Sequence, residues 1–443
     1  MNYEDARKYI DSIARFGSKL GLENIRNLMG YLGDPQKKLK FVHVAGTNGK
    51  GSTVAFLCSI LKSAGFRTGM YTSPFVERFS ERIRVNGEEI GEEDFARLAT
   101  QVKEAAGRMK EEGKGEPTEF EIITAIAFLY FYEKRCDICV LEVGLGGRLD
   151  ATNVINDPLV CMITPISCDH TDILGNTPEK IAYEKAGIIK EGSTVLIHPQ
   201  ETGVMAVIER VCLEKKAKPV ICSLPEGPTK AGIDGVDFYY EGNEYHTGLL
   251  GDYQINNAAM SVSAARILQK KGFDIKEEDI KNGLSSAEWK GRFELIRKEP
   301  YVLIDGSHNV SGMERLASSL GLYFKDTRII LIIGILKDKD YGKMLDIILP
   351  LAKTVYTVTV PSDRTLTADE LLAEVLKRTD VCAQAVPDPV SAYEMAVKKA
   401  GSTDIICACG SLYYIGLIRK AVLHDDDEFR HAASDVNGHV EDF

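Results

Sequence analysis

The chain has 443 residues, a length that predicts two domains rather than one. Its composition, 44% hydrophobic and 27% charged, is typical of a globular protein. The formal net charge of -11 argues against a nucleic-acid-binding protein, because such proteins usually present a basic face. No segment is long and apolar enough to span a bilayer, and the N-terminus lacks the apolar stretch of a signal peptide. We therefore expect a cytoplasmic protein without a membrane partner.

Short apolar runs that favour strands alternate with helical patterns along most of the chain. Such runs suit strands buried on both faces of a parallel sheet, with helices between them. The clearest in the first part of the chain are Phe41–Ala45, Ile138–Val143 and Leu159–Thr164. The alternation restarts after Trp289, with strand candidates at Tyr301–Asp305, Ile329–Ile333, Val355–Val358 and Ile405–Ala408.

This pattern predicts an α/β protein of two domains. Residues 1–294 are expected to form a P-loop-type domain with a mostly parallel sheet. Residues 295–423 are expected to form a smaller, Rossmann-like α/β domain. The tail, residues 424–443, is rich in Asp and Glu and poor in apolar residues, so we expect it to be disordered.

The strongest local signal is the glycine-rich segment GTNGKGS at residues 46–52. It follows a strand candidate and precedes a helical pattern, the context in which backbone N–H groups and a helix N-terminus bind phosphate. Lys50 offers a charge for the β- and γ-phosphates, and Ser52 offers a hydroxyl for Mg²⁺. Because Gly51 separates the lysine from the serine, the string differs from the usual P-loop, and a plain glycine-rich turn is the alternative.

Polar residues also follow two other strand candidates. Glu142 ends the run that begins at Ile138, and His170 follows the run that begins at Leu159. A carboxylate at a buried strand end needs a cation or strong hydrogen-bond donors. Since the carboxyl ends of parallel strands form the ligand crevice, we expect the glycine-rich segment, Glu142 and His170 to converge on one site. A structural salt bridge is the alternative for Glu142.

These strings resemble the folylpolyglutamate synthase and dihydrofolate synthase family, relatives of the Mur ligases. The matching segments occur in the family's order over nearly the whole chain. Two of them, EVGLGGRLDATN at 142–153 and DHTDILGNT at 169–177, are specific to this family. The others are GTNGKGS at 46–52, TSP at 72–74, EKAGIIK at 184–190, GRFE at 291–294, DGSHN at 305–309 and GSLYYIG at 410–416.

The resemblance implies an ATP-dependent ligase that adds L-glutamate to a folate, to dihydropteroate or to both, through an acyl phosphate. It implies ATP and Mg²⁺, the latter in two sites, and a monomer that acts on small molecules. Two other functions stay open: a Mur-type ligase of cell-wall precursors, and a P-loop ATPase without ligase activity. The preferred acceptor and the glutamate chain length do not follow from the sequence.

The resemblance also assigns roles to matching positions of this chain. The implied nucleotide contacts are Gly49, Lys50, Gly51, Ser52, Asn256, Arg292 and Asp305. The implied magnesium ligands are Ser52, Ser73, Glu142, His170 and Lys185, the last as a carbamate. The implied acceptor pocket comprises Thr118, Glu119, Phe120, Glu121, Leu149, Asp150 and Ala151. The implied catalytic residues are Lys50, Glu142, His170, Lys185, Arg292 and His308.

Several of these positions have a second interpretation. Asn257 stands beside Asn256 and could take its role, and His308 could instead cap the helix that follows it. Phe75 stands where the family usually has His. An ammonium about 4 Å from a divalent ion would be repelled by roughly 8 kcal/mol at an effective dielectric of 20. Lys185 is therefore neutral, turned away on an exposed helix face, or carbamylated.

Overall fold

The computed structural model describes residues 1–14, 21–325 and 327–437. They cluster into two compact units. The first consists of residues 1–229, 237–248 and 254–288, and the second of residues 230–236, 249–253 and 289–443. The longest piece of the second unit thus starts at Trp289, whereas the sequence placed the join at residue 294. None of the described helices is long and apolar enough to cross a membrane.

An eight-stranded sheet forms the centre of the first unit. Its strands are β1 (Phe41–Ala45), β2 (Thr68–Tyr71), β3 (Ile83–Val85), β4 (Glu88–Glu89), β5 (Ile138–Glu142), β6 (Val160–Ile163), β7 (Thr194–Ile197) and β8 (Lys218–Ile221). They lie in the order β4-β3-β2-β5-β1-β6-β7-β8. The six strands β2-β5-β1-β6-β7-β8 are parallel to their neighbours. At the other edge, β3 pairs antiparallel with β2, and β4 pairs antiparallel with β3.

Helices cover this sheet and fill its connections. They are α1 (Tyr3–Ala14), α2 (Glu23–Tyr31), α3 (Lys50–Ser63), α4 (Glu92–Glu111), α5 (Glu119–Glu133), α6 (Thr171–Leu174), α7 (Pro178–Ala186), α8 (Thr202–Glu214), α9 (Gln254–Lys270) and α10 (Glu277–Ser285). Short 3₁₀ turns lie at Pro35–Lys38, Phe79–Arg82 and Ala151–Val154. Every residue of β1 and β5 is buried, as expected for parallel strands with helices on both faces.

A small three-stranded sheet follows β8 in the chain. Its strands are β9 (Glu226–Gly232), β10 (Gly235–Tyr240) and β11 (Asn243–Thr247), in the order β11-β10-β9.

The second unit contains a six-stranded sheet. Its strands are β12 (Glu294–Lys298), β13 (Tyr301–Ile304), β14 (Ile329–Ile333), β15 (Ala352–Thr357), β16 (Cys382–Ala385) and β17 (Ile405–Cys409), in the order β12-β13-β17-β14-β15-β16. Only the edge strand β12 is antiparallel to its neighbour. The helices are α11 (Val310–Tyr323), α12 (Tyr341–Ile348), α13 (Ala368–Leu376), α14 (Pro389–Lys399) and α15 (Leu412–Asn437), with a 3₁₀ turn at Leu349–Leu351.

The predicted α/β class with two mostly parallel sheets is confirmed. The tail differs from the expectation, because α15 continues through Asn437 where disorder was predicted from His424. Val422 is fully buried, and the hydroxyl of Tyr393 donates to the Asp425 carboxylate at 3.2 Å. The last turn before the acidic segment is therefore packed. Residues 438–443 lie outside the described part of the chain.

Candidate active site

The predicted site of the first unit lies where several parallel strands end. The glycine-rich segment follows β1, Glu142 is the last residue of β5, and Ser73 comes shortly after β2. Because β2, β5, β1 and β6 are neighbours and parallel, their carboxyl ends meet at one edge of the sheet. The segment that carries His170 follows β6 at the same edge.

The glycine-rich segment leaves four consecutive backbone N–H groups without an acceptor. The N–H of Thr47 donates to the carbonyl of Pro165, and that of Thr53 to the carbonyl of Gly49, both at 2.9 Å. Within the part of the chain that the structure describes, the N–H groups of residues 49–52 have no such partner. They stand at the start of α3, where the helix dipole favours negative charge. This is an arrangement that binds phosphate.

Helix α9 supports the segment from behind. Gly49 has φ +84, and a Cβ there would come within 2.4 Å of Oδ1 of Asn257. Asn257 is buried and donates from Nδ2 to Oε1 of Gln254 at 2.8 Å, while Gln254 donates from Nε2 to the Ser52 hydroxyl at 3.3 Å. Sequence reasoning missed Gln254. Because Asn257 is committed to this support, the partly exposed Asn256 remains the candidate for contact with a nucleotide.

Lys50 faces a buried carboxylate beside these N–H groups. Its Nζ donates to the carbonyl of Thr47 at 3.1 Å and lies 3.9 Å from Oε1 of Glu142. Glu142 is 5% exposed, and its Oε2 accepts the backbone N–H of Ser73 at 3.2 Å. The separation of Lys50 and Glu142 exceeds a direct hydrogen bond. Lys50, Glu142 and the backbone of Ser73, all three predicted site residues, thus lie close together.

Lys185 reaches the same segment from α7. It is 5% exposed, so the alternative of an exposed lysine is wrong. Its Nζ donates to the carbonyl of Gly46 at 2.6 Å. Burial, and then the charge of Lys50, lower the pKa of Lys185 from its ordinary 10.5 to about 7. A large fraction of this amine is therefore uncharged near neutral pH.

His170 lies on a strained turn next to the glycine-rich segment. It has a left-handed backbone, with φ +50, and immediately precedes the short helix α6. His170 is exposed, and its backbone N–H donates to Oδ1 of Asp169 at 2.9 Å. Upstream, the N–H of Ser167 donates to Oγ1 of Thr47 at 3.1 Å, and Thr47 Oγ1 donates to the carbonyl of Ser167 at 3.0 Å. Two hydrogen bonds thus tie the His170 segment to the loop.

The predicted acceptor pocket presents one aromatic ring near the ends of β2 and β5. The partly exposed ring of Phe120 lies 5.9 Å from that of Tyr71, between ring centroids. A Cβ at Gly144 would come within 2.5 Å of Cζ of Phe120, so the absence of a side chain makes room for the ring. Leu149 is also partly exposed, whereas Ala151 is buried.

Two carboxylates assigned to that pocket are committed to the backbone instead. Oε2 of Glu121 accepts the N–H of Thr118 at 2.7 Å in a capping box, and Oε1 accepts the N–H of Ile25 at 3.1 Å. Asp150 accepts the N–H groups of Thr152 and Leu145, at 3.0 and 2.9 Å. Burial raises the pKa of Asp150, and these hydrogen bonds oppose the rise. Both carboxylates therefore hold the backbone around the predicted pocket residues.

His43, in the centre of β1, extends this network below the site. Its Nε2 lies 2.8 Å from Oγ1 of Thr152, whose hydroxyl bonds to Oδ1 of Asp150. A hydroxyl has one proton, so with Asp150 ionised the threonine accepts from His43 Nε2–H. Burial, with the charge of Lys190, lowers the pKa of His43 to about 3. No local signal in the sequence connects His43 with Asp150.

In the second unit, Asp305 organises the segment that carries Arg292. Asp305 is 3% exposed, its Oδ2 accepts the N–H of Phe293 at 2.7 Å and its Oδ1 accepts the N–H of Ser307 at 2.8 Å. Arg292, which precedes Phe293, is half-buried. The carboxylate therefore fixes the backbone on which Arg292 stands.

His308 belongs to the turn that follows β13. Its Nδ1 lies 2.8 Å from the carbonyl of Gly306, so Nδ1 carries the proton, because a carbonyl only accepts. The helix cap is Asn309, whose Oδ1 accepts the N–H of Gly312 at 2.8 Å. The alternative of His308 as the cap is therefore wrong.

Phe75, the departure from the family pattern, borders a cavity of about 660 Å³ in the first unit. Its ring packs edge-on against that of Phe79, with 5.8 Å between centroids, and Cζ of Arg82 lies 5.5 Å from the Phe75 centroid. The cavity is also lined by Tyr3, Arg7, Glu77, Arg78, Ser80, Glu89, Ile90, Gly91 and Glu92.

Comparison with known proteins assigns both parts of the chain. Residues 44–265 match the Mur ligase middle domain, and residues 291–412 match the Mur ligase, glutamate ligase domain. The chain is 40% identical over 430 residues to the dihydrofolate synthase/folylpolyglutamate synthase of Bacillus subtilis, covering 94% of this chain and 98% of that protein. It is 32% identical to the Escherichia coli protein of the same description, covering 94% of both chains.

Solved structures show the same architecture. Escherichia coli FolC in complex with DHPP and ADP matches with a TM-score of 0.83 at 29% identity, over 96% of this chain and 99% of that one. Mycobacterium tuberculosis folylpolyglutamate synthase complexed with ADP and AMPPCP matches with a TM-score of 0.86 at 26% identity, over 95% and 99%. With two Mur ligase domains and near full-length relatives, the chain belongs to the folylpolyglutamate synthase and dihydrofolate synthase family of ligases.

Proposed function

We propose that this chain uses ATP to join L-glutamate to the carboxylate of a folate-type acceptor. The observation that carries the proposal is the group of unpaired N–H donors at residues 49–52 beside Lys50 and the buried Glu142. A relative described as a dihydrofolate synthase/folylpolyglutamate synthase, 98% covered by this chain, supports the acceptor class.

The first unit is proposed to hold the triphosphate of ATP. The N–H groups at the start of α3 donate to phosphate oxygens, and the helix dipole adds to the attraction. Lys50 neutralises charge on the terminal phosphates, and Asn256 contacts the nucleotide. Arg292 and Asp305 of the second unit are proposed as further nucleotide contacts.

The residues present fit Mg²⁺ that arrives with ATP. Mg²⁺ in such sites takes one or two protein oxygens and otherwise phosphate and water oxygens. Among the described residues no three His, Cys, Asp or Glu side chains form a metal cage, which is compatible with such a site. Ser52, Ser73, Glu142 and His170 are the proposed protein ligands, and carbamylated Lys185 would join them. Bound Mg²⁺ would supply positive charge to the transferring phosphoryl group.

The chemistry that the site must perform is amide formation. A carboxylate is a poor electrophile, so its oxygen first takes the γ-phosphoryl group of ATP, which releases ADP and forms an acyl phosphate. The amine of glutamate then attacks the acyl carbon, phosphate leaves and the amine loses a proton. Catalysis of phosphoryl transfer is mostly positioning and electrostatics. Lys50 is proposed to stabilise charge on the phosphate in both steps, and His308 to orient the amine.

Lys185 is proposed to carry a carbamate. Its buried amine lies against the Gly46 carbonyl and beside Lys50, where a full positive charge is disfavoured. The neutral amine attacks CO₂, forming an N–C bond and releasing one proton, and the product is an oxygen ligand suited to Mg²⁺. Mass analysis of the native protein, with and without bicarbonate, tests this. A Lys185-containing peptide that never gains the mass of CO₂ under gentle conditions refutes it.

Phe120 and Leu149 are proposed as the surfaces against which a flat pterin ring stacks. The carboxylates of Glu121 and Asp150 hold the wall of this pocket through the backbone. Thr118, Glu119 and Ala151 complete the proposed pocket. We further propose that the chain acts in the cytoplasm as a monomer on small molecules, without nucleic acid or membrane.

Product analysis tests the function directly. The chain is incubated with ATP, Mg²⁺ and L-glutamate, and with either dihydropteroate or tetrahydrofolate. The proposal expects ADP, phosphate and an acceptor heavier by one or more glutamyl residues, for at least one acceptor. ADP formation that is independent of both acceptor and glutamate would instead favour a P-loop ATPase. Turnover only with a cell-wall precursor would favour a Mur-type ligase.

A further inference from the structure

Two arginines of the second unit stand half-buried without a counter-charge. The side chains of Arg292 and Arg315 make no hydrogen bond and no ion pair with any residue in the described ranges. Arginines that leave water are ordinarily paired, because an unpaired buried charge is costly. In a chain with a net charge of -11, carboxylates are abundant, so two unpaired arginines in one unit indicate a position kept for an external anion.

Arg315 borders Tyr253, and Arg292 lies on the side of Asp305, to which Tyr253 bonds. Cζ of Arg315 lies 5.8 Å from the centroid of the Tyr253 ring, and the Tyr253 hydroxyl donates to Oδ2 of Asp305 at 3.4 Å. On the Asp305 side, a Cβ at Gly306 would come within 2.3 Å of Nη1 of Arg292. Burial and Asp305 raise the pKa of Tyr253, and the charges of Arg292 and Arg315 oppose that rise. The two guanidinium groups therefore act on the same tyrosine.

The carboxylates of this cluster are already bound to other donors. Asp305 accepts two backbone N–H groups, at 2.7 and 2.8 Å. Asp252 accepts the hydroxyls of Ser318 and Ser319, at 2.5 and 3.0 Å. Glu314, next to Arg315 on α11, is exposed. Neither guanidinium is thus neutralised through a direct contact.

We propose that Arg315, beside Arg292 and Tyr253, binds a carboxylate of the incoming L-glutamate. The inference rests on the proposed function and assigns one of its substrates to a residue. A guanidinium fork matches a carboxylate with two parallel hydrogen bonds. The proposed function already assigns the first-unit N–H donors and Arg292 to the nucleotide, which leaves Arg315 for the other anionic substrate. Glutamate brings two carboxylates, and a positive neighbour also favours the neutral, nucleophilic form of its amine.

Steady-state kinetics of Arg315→Gln, Arg315→Lys and the wild type test the assignment. We expect the KM for L-glutamate to rise by about tenfold or more in Arg315→Gln, as for loss of one charge-assisted pair. The KM of Arg315→Lys for L-glutamate is expected to lie between those of the wild type and Arg315→Gln, because lysine keeps the charge and loses the two parallel donors of the guanidinium group. The KM for ATP and for the acceptor should stay within about twofold of wild type. The matched control is Arg378→Gln, an arginine of the same unit that is paired with Asp346 and Glu374.

A second measurement separates glutamate capture from the preceding step. Hydroxylamine attacks the acyl phosphate without needing a carboxylate contact, and gives a hydroxamate and phosphate. We expect Arg315→Gln to form hydroxamate from ATP and acceptor at the wild-type rate. An unchanged KM for glutamate overturns the assignment, as does a selective rise in the KM for ATP or acceptor, or slowed hydroxamate formation in a folded variant. A wild-type chain that makes no glutamyl product refutes the proposed function instead.

Discussion

Replacing Lys50 with methionine removes a cation beside the N–H groups of residues 49–52 while keeping a similar stem. We expect ATP-dependent ligation to fall sharply with the fold retained. Nζ of Lys50 donates to the Thr47 carbonyl at 3.1 Å and lies 3.9 Å from Oε1 of Glu142, so one hydrogen bond and one ion pair position the ammonium. A positioned charge of this kind needs no reorganisation when a phosphoryl group is transferred.

The size of the effect follows from these distances. At 3.9 Å and an effective dielectric of 20, the attraction between Lys50 and Glu142 is about 4 kcal/mol before desolvation. A phosphate oxygen at a similar distance would gain a comparable amount, and the contact strengthens as charge develops. Loss of one preorganised donor typically costs about 3 kcal/mol, or roughly 10²-fold or more in kcat.

The assay couples ADP formation to glutamyl product, with Lys62→Met as control, since Lys62 is exposed on the last turn of the same helix. Circular dichroism checks the fold. Lys50→Met/Glu142→Gln tests whether any instability comes from leaving Glu142 unpaired. Turnover of Lys50→Met within about threefold of wild type, with the fold intact, would refute the phosphate-binding interpretation.

Three further outcomes concern stability. Glu121→Gln should cost about 1–3 kcal/mol in urea unfolding, because an NH₂ donor replaces one of the two oxygens that accept backbone N–H groups, whereas Glu119→Gln in the same helical turn should cost little. Deleting 424–443 should cost about 1 kcal/mol through loss of the Asp425 hydrogen bond, while deletion from residue 426 onward should leave the melting temperature and activity nearly unchanged. Replacement of His43 should protect the fold against acid, as measured by urea unfolding across pH.

Features that depend on short strings and on the geometry of parallel sheets could be predicted. The contact between Lys50 and Glu142 follows from a glycine-rich loop after β1 and a carboxylate at the end of β5, because neighbouring parallel strands end at one edge. A neutral Lys185 was among the stated options, and burial together with the charge of Lys50 lowers the pKa of its amine.

What could not be predicted depends on contacts between distant parts of the chain. Gln254 bonds Ser52 across 202 positions, and His43 bonds Thr152 across 109, and neither pair has a local pattern. The backbone hydrogen bonds to Asp150 could not be predicted either, because a string shows which groups are present and not which N–H groups face them.

The tail shows the opposite case. Its composition argues for disorder, yet α15 continues through it to Asn437, because helical hydrogen bonds are local and extend from the buried turn around Val422. Mean composition describes whether a segment can bury apolar surface, and it does not describe a helix that is already nucleated by its neighbour.

His43 makes the pH dependence of stability specific enough to test. It is fully buried, its Nε2 is bound to Thr152, and its Nδ1 has no hydrogen-bond partner among the described residues. A proton added at Nδ1 therefore meets no acceptor, and burial together with the charge of Lys190 lowers the pKa to about 3 from 6.5. The unfolded chain takes up that proton near pH 6.5, so the neutral histidine favours the folded state fully above 6.5, and this contribution is lost as pH falls toward 3.

The shift corresponds to about 5 kcal/mol between pH 6.5 and 3. His43→Gln keeps a donor for Thr152 and cannot titrate, so its free energy of unfolding should fall less steeply than that of the wild type over this range. His246→Gln, at an exposed histidine that contacts Asp237, is the control and should follow the wild-type slope. Since wild type and His43→Gln differ only at this side chain, the difference in slope between those two proteins isolates His43. Parallel curves of unfolding free energy against pH for His43→Gln and wild type would contradict this reasoning, because they would show that the folded state binds the proton as readily as the unfolded state. The hydrogen bonds from His43 through Thr152 to Asp150 would then have to include a charged imidazolium ring.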